Sequence, residues 1–145
     1  MGVMGASQWA LEAQDAAKDW KVVKDPQGVC QLTVPSDWVA GKTSASLVRS
    51  LDRRLNAAPA SAAGKSFAQV AAAAKQTMPP TRILEDSPNR LWFSYIGLNP
   101  AGGANLFVAI AGNPVCTAQV TYKVPQAQEM AKKIALSLSV VPPKQ

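Results

Sequence analysis

The chain reads as an α+β domain in which a twisted antiparallel sheet is sandwiched between helices, an α/β/α sandwich. Three observations predict this. Short stretches of period-two hydrophobic alternation are punctuated by proline and glycine turns. Two further stretches carry helical periodicity instead. The 145 residues, 48% hydrophobic and 17% charged, can build the core of one domain and show no internal boundary.

Residues 1–19 read as a short added leader, Met1-Gly2-Val3-Met4-Gly5, and a weak helical extension over Ala6–Lys18; the single domain then occupies 20–145. Trp20–Lys24 is a strand that ends in Asp25-Pro26-Gln27-Gly28, where proline presets the first turn angle and glycine closes the turn. Cys30, Leu32 and Val34 alternate with Gln31 and Thr33 as in a half-buried strand, which Pro35-Ser36-Asp37-Trp38 stops. Ser44–Leu51 is a third strand. Asp52-Arg53-Arg54 is a turn into a weaker fourth, Leu55–Ala58, closed by Pro59.

Ser66–Met78 is a helix. Ser66 can cap the free amides and Gln69 completes a capping box, Phe67, Val70, Ala71, Ala74 and Met78 share a face, and Pro79-Pro80 ends it. Strands follow at Arg82–Glu85, Arg90–Leu98, Asn105–Ala111 and Val115–Val124, joined through Asn99–Gly103 and Gly112-Asn113-Pro114. Leu106–Ala111 is apolar on both faces, as a central strand should be. In the last strand Cys116, Ala118, Val120, Tyr122 and Val124 alternate with Thr117, Gln119, Thr121 and Lys123. Pro125–Leu138 closes the chain as a helix, with Ala127, Met130, Ala131, Ile134, Ala135 and Leu138 on one face.

This order of elements resembles the PsbP-like fold family. The pieces that carry the likeness are Gly28, Leu32-Thr33-Val34-Pro35-Ser36-Asp37-Trp38, the Asp52-Arg53 turn, Ser66–Met78 and Ile134-Ala135-Leu136-Ser137-Leu138. The family includes an extrinsic photosystem II protein, a Ran-binding nuclear-import factor and many bacterial exported proteins. The resemblance implies the fold across residues 20–140. Neither the Ran-contacting acidic surface nor the metal-associated histidines of its better-studied members can be placed on this chain, so no site is implied.

Composition narrows the chemistry. There is no histidine, which removes serine–histidine and cysteine–histidine catalytic pairs and histidine metal ligands, and two cysteines are too few for a zinc site. No metal and no cofactor is expected, and no catalytic residue is assigned. Gly41-Lys42-Thr43 and Gly64-Lys65-Ser66 look like phosphate loops, but the glycine such a loop needs five residues earlier is Ser36 or Pro59. Glu85-Asp86, the adjacent acidic pair, reads as a solvated turn near Pro88, and neighbours on an extended chain point to opposite faces.

Cys30 and Cys116 both fall on the apolar phase of alternating strands. They are either two separate buried thiols or a disulfide between neighbouring strands or layers. A bridge would suit an oxidising compartment. The start at Ala13-Gln14-Asp15-Ala16-Ala17 resembles a mature exported terminus, so an exported or periplasmic protein with its signal removed is expected, the alternative being a cytoplasmic one.

The charge excess, 15 Lys+Arg against 9 Asp+Glu, is uneven. It is concentrated in 38–84, where only Asp52 opposes Lys42, Arg49, Arg53, Arg54, Lys65, Lys75 and Arg82. Aromatics are not interleaved with these cations, which argues against a nucleic-acid stacking platform. The expectation is a non-catalytic exported accessory or binding protein acting through a surface or shallow groove. Lys42, Arg49, Arg53 and Arg54 are its candidate contacts for an acidic protein or anionic surface. The alternative reading of the same charges is that they merely keep the surface soluble. Two alternatives stay open: a small hydrolase-type enzyme built from Asp, Glu, Lys and Ser groups, and a basic binder of nucleic acid or anionic surfaces.

Overall fold

Alternation along the strands decides the architecture, because it sends successive side chains to opposite faces. The structure, a computed structural model, describes residues 19–43, 46–95 and 104–142. The expected helix over Ala6–Lys18, the beginning of the strand expected from Ser44, the end of that expected to Leu98, and the Asn99–Gly103 hairpin lie outside the described residues.

The described residues form two antiparallel sheets where the sequence predicts one. The smaller sheet has the order β1-β2-β10, from β1 (Trp20–Lys24), β2 (Cys30–Pro35) and β10 (Ser139–Val140). The larger comprises β3 (Val39–Thr43), β4 (Ser46–Arg49), β5 (Leu55–Ser61), β6 (Pro80–Asp86), β7 (Arg90–Tyr95), β8 (Ala104–Ile110) and β9 (Cys116–Tyr122). Their spatial order is β3-β4-β5-β9-β8-β7-β6. Two helices accompany them, α1 (Phe67–Thr77) and α2 (Gln128–Leu136), the second entered through a 3-10 turn at Pro125–Ala127.

The second sheet exists because β2 buries its apolar phase against the larger sheet instead of joining its edge. Cys30, Leu32 and Val34 share one cluster with Ala57, Leu106, Val108, Ala118 and Val120 and with Ala131, Ile134 and Ala135 of α2. A second cluster holds Val70 and Ala74 of α1 with Leu91, Phe93, Phe107, Ala109 and Val115. β8 thus divides its side chains, Leu106 and Val108 to one cluster and Phe107 and Ala109 to the other, which is why the stretch from Leu106 to Ile110 is apolar at every step.

Cys30 and Cys116 are bridged, with Cα atoms 5.6 Å apart. The bridge ties β2 of the small sheet to β9 of the large one across 86 positions. On the chain-entropy account, closing a loop of that length contributes at most about 4–5 kcal/mol. Ser137 adds a second tie: its Oγ accepts the Thr33 amide at 2.9 Å and donates to the Ile134 carbonyl at 2.6 Å.

The Asp25–Gly28 turn is held by its own first residue. The buried Asp25 carboxylate accepts from the amides of Val29 and Cys30, both at 2.8 Å, and from Gln27 at 3.2 Å. Burial pulls this carboxyl upward, but the amide donors outweigh it and hold it below its ordinary value. Gly28 closes the turn with φ 74°, a region glycine enters without penalty.

Four details differ from expectation. β3 forms on residues whose glycine and polar side chains carry little strand signal. β5 continues through Pro59 to Ser61; β4 pairs with it only at Asn56 and Ala57, so the ladder on that side demands no amide of Pro59. β10 is too short for its alternation to be read. Glu85 and Asp86 end a strand instead of forming a turn, and they are spent separately, Glu85 on Arg90 and Asp86 on Lys75, each at 2.7 Å. At α1 the capping box is present as read, with Gln69 N donating to Ser66 Oγ at 3.1 Å and Ser66 N to Gln69 Oε1 at 2.9 Å.

Candidate functional site

The β4–β5 hairpin carries three cations, Arg49, Arg53 and Arg54. Its turn is closed by Arg53 N donating to Ser50 O at 3.1 Å and Ser50 N to Leu55 O at 3.0 Å. The Ser50 hydroxyl, buried under the turn, donates to Asp52 Oδ1 at 2.7 Å and accepts the Leu55 amide at 3.1 Å. Asp52 Oδ1 also takes the Arg54 amide at 3.0 Å. The Ser50 hydrogen bond and then the Arg54 amide hold the Asp52 carboxyl below its ordinary value.

Arg53 has φ 63°, the only positive φ among the described non-glycine residues. The left-handed region costs a side-chain-bearing residue roughly 1–2 kcal/mol, and asparagine or glycine would enter it more cheaply. An arginine here gives the hairpin tip a guanidinium that lines the neighbouring depression, which Arg54 does not.

β3 reaches the same place through a close approach. The Ser46 carbonyl occupies the space that a Cβ on Gly41 would need, and the β3–β4 register shifts between Ala40 and Thr43. Only glycine lets the two strands meet in this way. The consequence is that Lys42 and Thr43 lie beside Ser46.

These elements enclose an open depression of about 230 Å³, lined by Lys42, Thr43, Ser46, Arg49, Arg53, Leu55, Asn56 and Lys123. Three of the four candidate cations, Lys42, Arg49 and Arg53, are brought together here. Arg54 is not: it turns to Asp52, with Nε 3.7 Å from Oδ2. In its stead comes Lys123, delivered by the Leu55–Tyr122 pairing of β5 with β9 and by its own amide, which donates to Arg54 O at 2.8 Å. The signal for Lys123 is its place on the polar phase of the last long strand, and only the strand pairing shows where that phase leads.

Among the described residues, no carboxylate forms an ion pair with Lys42, Arg49, Arg53 or Lys123. Arg49 Nη1 donates to Ser50 O at 3.0 Å, which fixes part of its fork and leaves its other donors available. The depression has side-chain donors on several sides and no acidic lining. It can hold an anion. It is not a phosphate loop, since Lys42 and Thr43 lie on a strand with no helix beginning after them.

A second depression, of about 240 Å³, lies across the hairpin and is lined by Pro35, Asp37, Trp38, Ser50, Leu51, Asp52, Leu55 and Met130. Its lining includes two carboxylates, Asp37 and Asp52. Asp52, however, is engaged in holding the turn. Among the described residues, no group of three or more cysteine, aspartate or glutamate side chains is placed to hold a metal ion. No described helix is long and apolar enough to cross a membrane.

No protein-family profile matches the chain, and no curated protein matches it in sequence. Among solved structures it is similar to the cyanobacterial PsbP (CyanoP) of Synechocystis, with 11% identity and a TM-score of 0.49 over 84% of this chain and 92% of that one. It is also similar to LpqN, involved in cell envelope biogenesis of Mycobacterium tuberculosis, with 15% identity and a TM-score of 0.41 over 92% and 96% of the two chains.

Proposed function

We propose that this is a non-catalytic binding protein that takes the anionic group of a partner, an acidic protein segment or an anionic surface, into the Lys42–Arg49–Arg53–Lys123 depression. One observation carries the reading. Four cations from three separate stretches of chain converge on one cavity that has no carboxylate in its lining. Arg54, Lys75, Arg90 and Lys132 are each matched by an acidic neighbour, and none of the four lines this cavity. An exported accessory role is in keeping with the Cys30–Cys116 bridge, because such bridges persist in oxidising compartments.

Arg53 and Arg54 provide the test, because they are neighbours of equal charge and only Arg53 lines the cavity. Arg53→Glu and Arg54→Glu change the net charge equally. On immobilised poly-glutamate at low salt, wild type and Arg54→Glu are expected to be retained, and Arg53→Glu to elute at clearly lower salt. Equal elution of the two variants would show that net charge alone drives retention and would remove the site.

A further inference from the structure

We infer that the group this depression takes is phosphoryl, as a phosphomonoester or diphosphate, in preference to carboxylate; the inference rests on the anion-binding reading above. A carboxylate is planar and singly charged, with two oxygens that one guanidinium fork satisfies. A phosphoryl group carries roughly −1.5 to −2 charge at neutral pH and three acceptor oxygens pointing in different directions. The depression matches the second description. Lys42 and Thr43 come from β3, Ser46 and Arg49 from β4, Arg53 from the hairpin tip, and Lys123 from the residue after β9. The donors therefore arrive from several directions.

Their chemistry is equally selective. Two guanidiniums offer bidentate geometry, two ammonium groups act as point charges, and the hydroxyls of Thr43 and Ser46 can each donate one bond. The open depression, of about 230 Å³, has room for a diphosphate. The φ of 63° at Arg53 adds an independent pointer. Backbone strain retained at a position where glycine would relieve it is characteristic of binding sites.

The test is calorimetric titration of the full chain with sodium pyrophosphate and with a hexaglutamate peptide at equal ionic strength. Pyrophosphate is expected to bind one per chain and at least tenfold more tightly than the peptide. Arg49→Lys and Arg53→Lys keep the charge and remove the fork, so each should lower pyrophosphate affinity fivefold or more while leaving peptide affinity within about twofold. Melting temperatures report that both variants are folded. Vesicles containing phosphatidic acid form a further arm. Tighter binding to these than to pyrophosphate assigns the phosphoryl group to a lipid headgroup, and the reverse assigns it to a soluble ligand.

Peptide binding that equals pyrophosphate binding, or lysine variants that bind pyrophosphate as wild type does, would overturn the phosphoryl inference and leave the anion site standing. Failure of both probes to bind would overturn the two together.

Discussion

The two depressions beside the β4–β5 hairpin are nearly equal in volume and opposite in character. One has Lys42, Arg49, Arg53 and Lys123 in its lining, and the other has Asp37 and Asp52 with Trp38 and Leu51. They share Leu55 and the same backbone wall. What separates them is the direction of consecutive side chains at a single turn. Asp52 goes to one side, Arg53 to the other, and Arg54 folds back to pair with Asp52. Electrostatic character here is set by side-chain direction on a common scaffold, and the scaffold is built to hold that direction.

The comparison breaks most completely if the scaffold is lost. Ile134 is wholly buried between α2 and the sheets. Ile134→Asp places an unpaired charge there and should cost several kcal/mol, abolishing cooperative melting and both depressions together. Lys133→Asp changes an exposed residue whose ammonium lies 5.6 Å from the Trp20 ring centroid. It should cost no more than about 1 kcal/mol. Equal melting temperatures for the two variants would mean that the buried face of α2 is misassigned.

A narrower break acts on one depression. Gly41→Ala pushes a methyl into the Ser46 carbonyl and forces β3 away from β4. Stability should fall by about 1–3 kcal/mol, the usual cost of overpacking, and anion affinity should fall several-fold. The Asp37–Asp52 side, which uses no β3 residue, should keep its geometry. Chemical shifts of Asp37 and Trp38 set against those of Lys42 and Thr43 would check this.

A smaller effect sharpens the comparison through pH. Asp52→Ala removes the acceptor for the Ser50 hydroxyl and the Arg54 amide. Because the side chain is largely exposed, the cost should be only about 0.5–1 kcal/mol. The folded-state carboxyl lies below its ordinary value of 3.8, so its contribution is fully present above that pH. It disappears as the pH falls through the lower folded value. Wild type and Asp52→Ala should therefore differ in denaturant midpoint at pH 6 and converge as the pH drops below 3.8. A difference that persists in acid would show that the carboxylate is not what holds the turn.

Much of this was legible in the sequence, and the failures have physical causes. Alternation at Cys30-Gln31-Leu32-Thr33-Val34 and at Cys116–Val124 marked the strands and placed both cysteines inward, because burial on one face leaves a period-two trace. The capping box at Ser66 and Gln69 was readable because it is local. Lys42, Arg49 and Arg53 could be picked out by the scarcity of nearby acid. Arg54 could not be set apart from Arg53 without knowing that the chain turns left-handed between Asp52 and Arg54. Lys123 joins the site through strand pairing with a segment far away in sequence, which composition does not record. The second sheet was hidden for the same reason: β10 is two residues long, and its partner is β2 at the other end of the chain.

Arg53→Gly tests the central claim most directly, since it separates what the hairpin prefers from what the depression needs. Glycine accepts the backbone conformation of residue 53 without penalty. If the arginine is kept for binding, the variant should gain up to about 1 kcal/mol in denaturant stability and lose tenfold or more in pyrophosphate affinity. A variant that gains stability and binds pyrophosphate as tightly as wild type would contradict the account, leaving Arg53 a solvated charge on a strained turn.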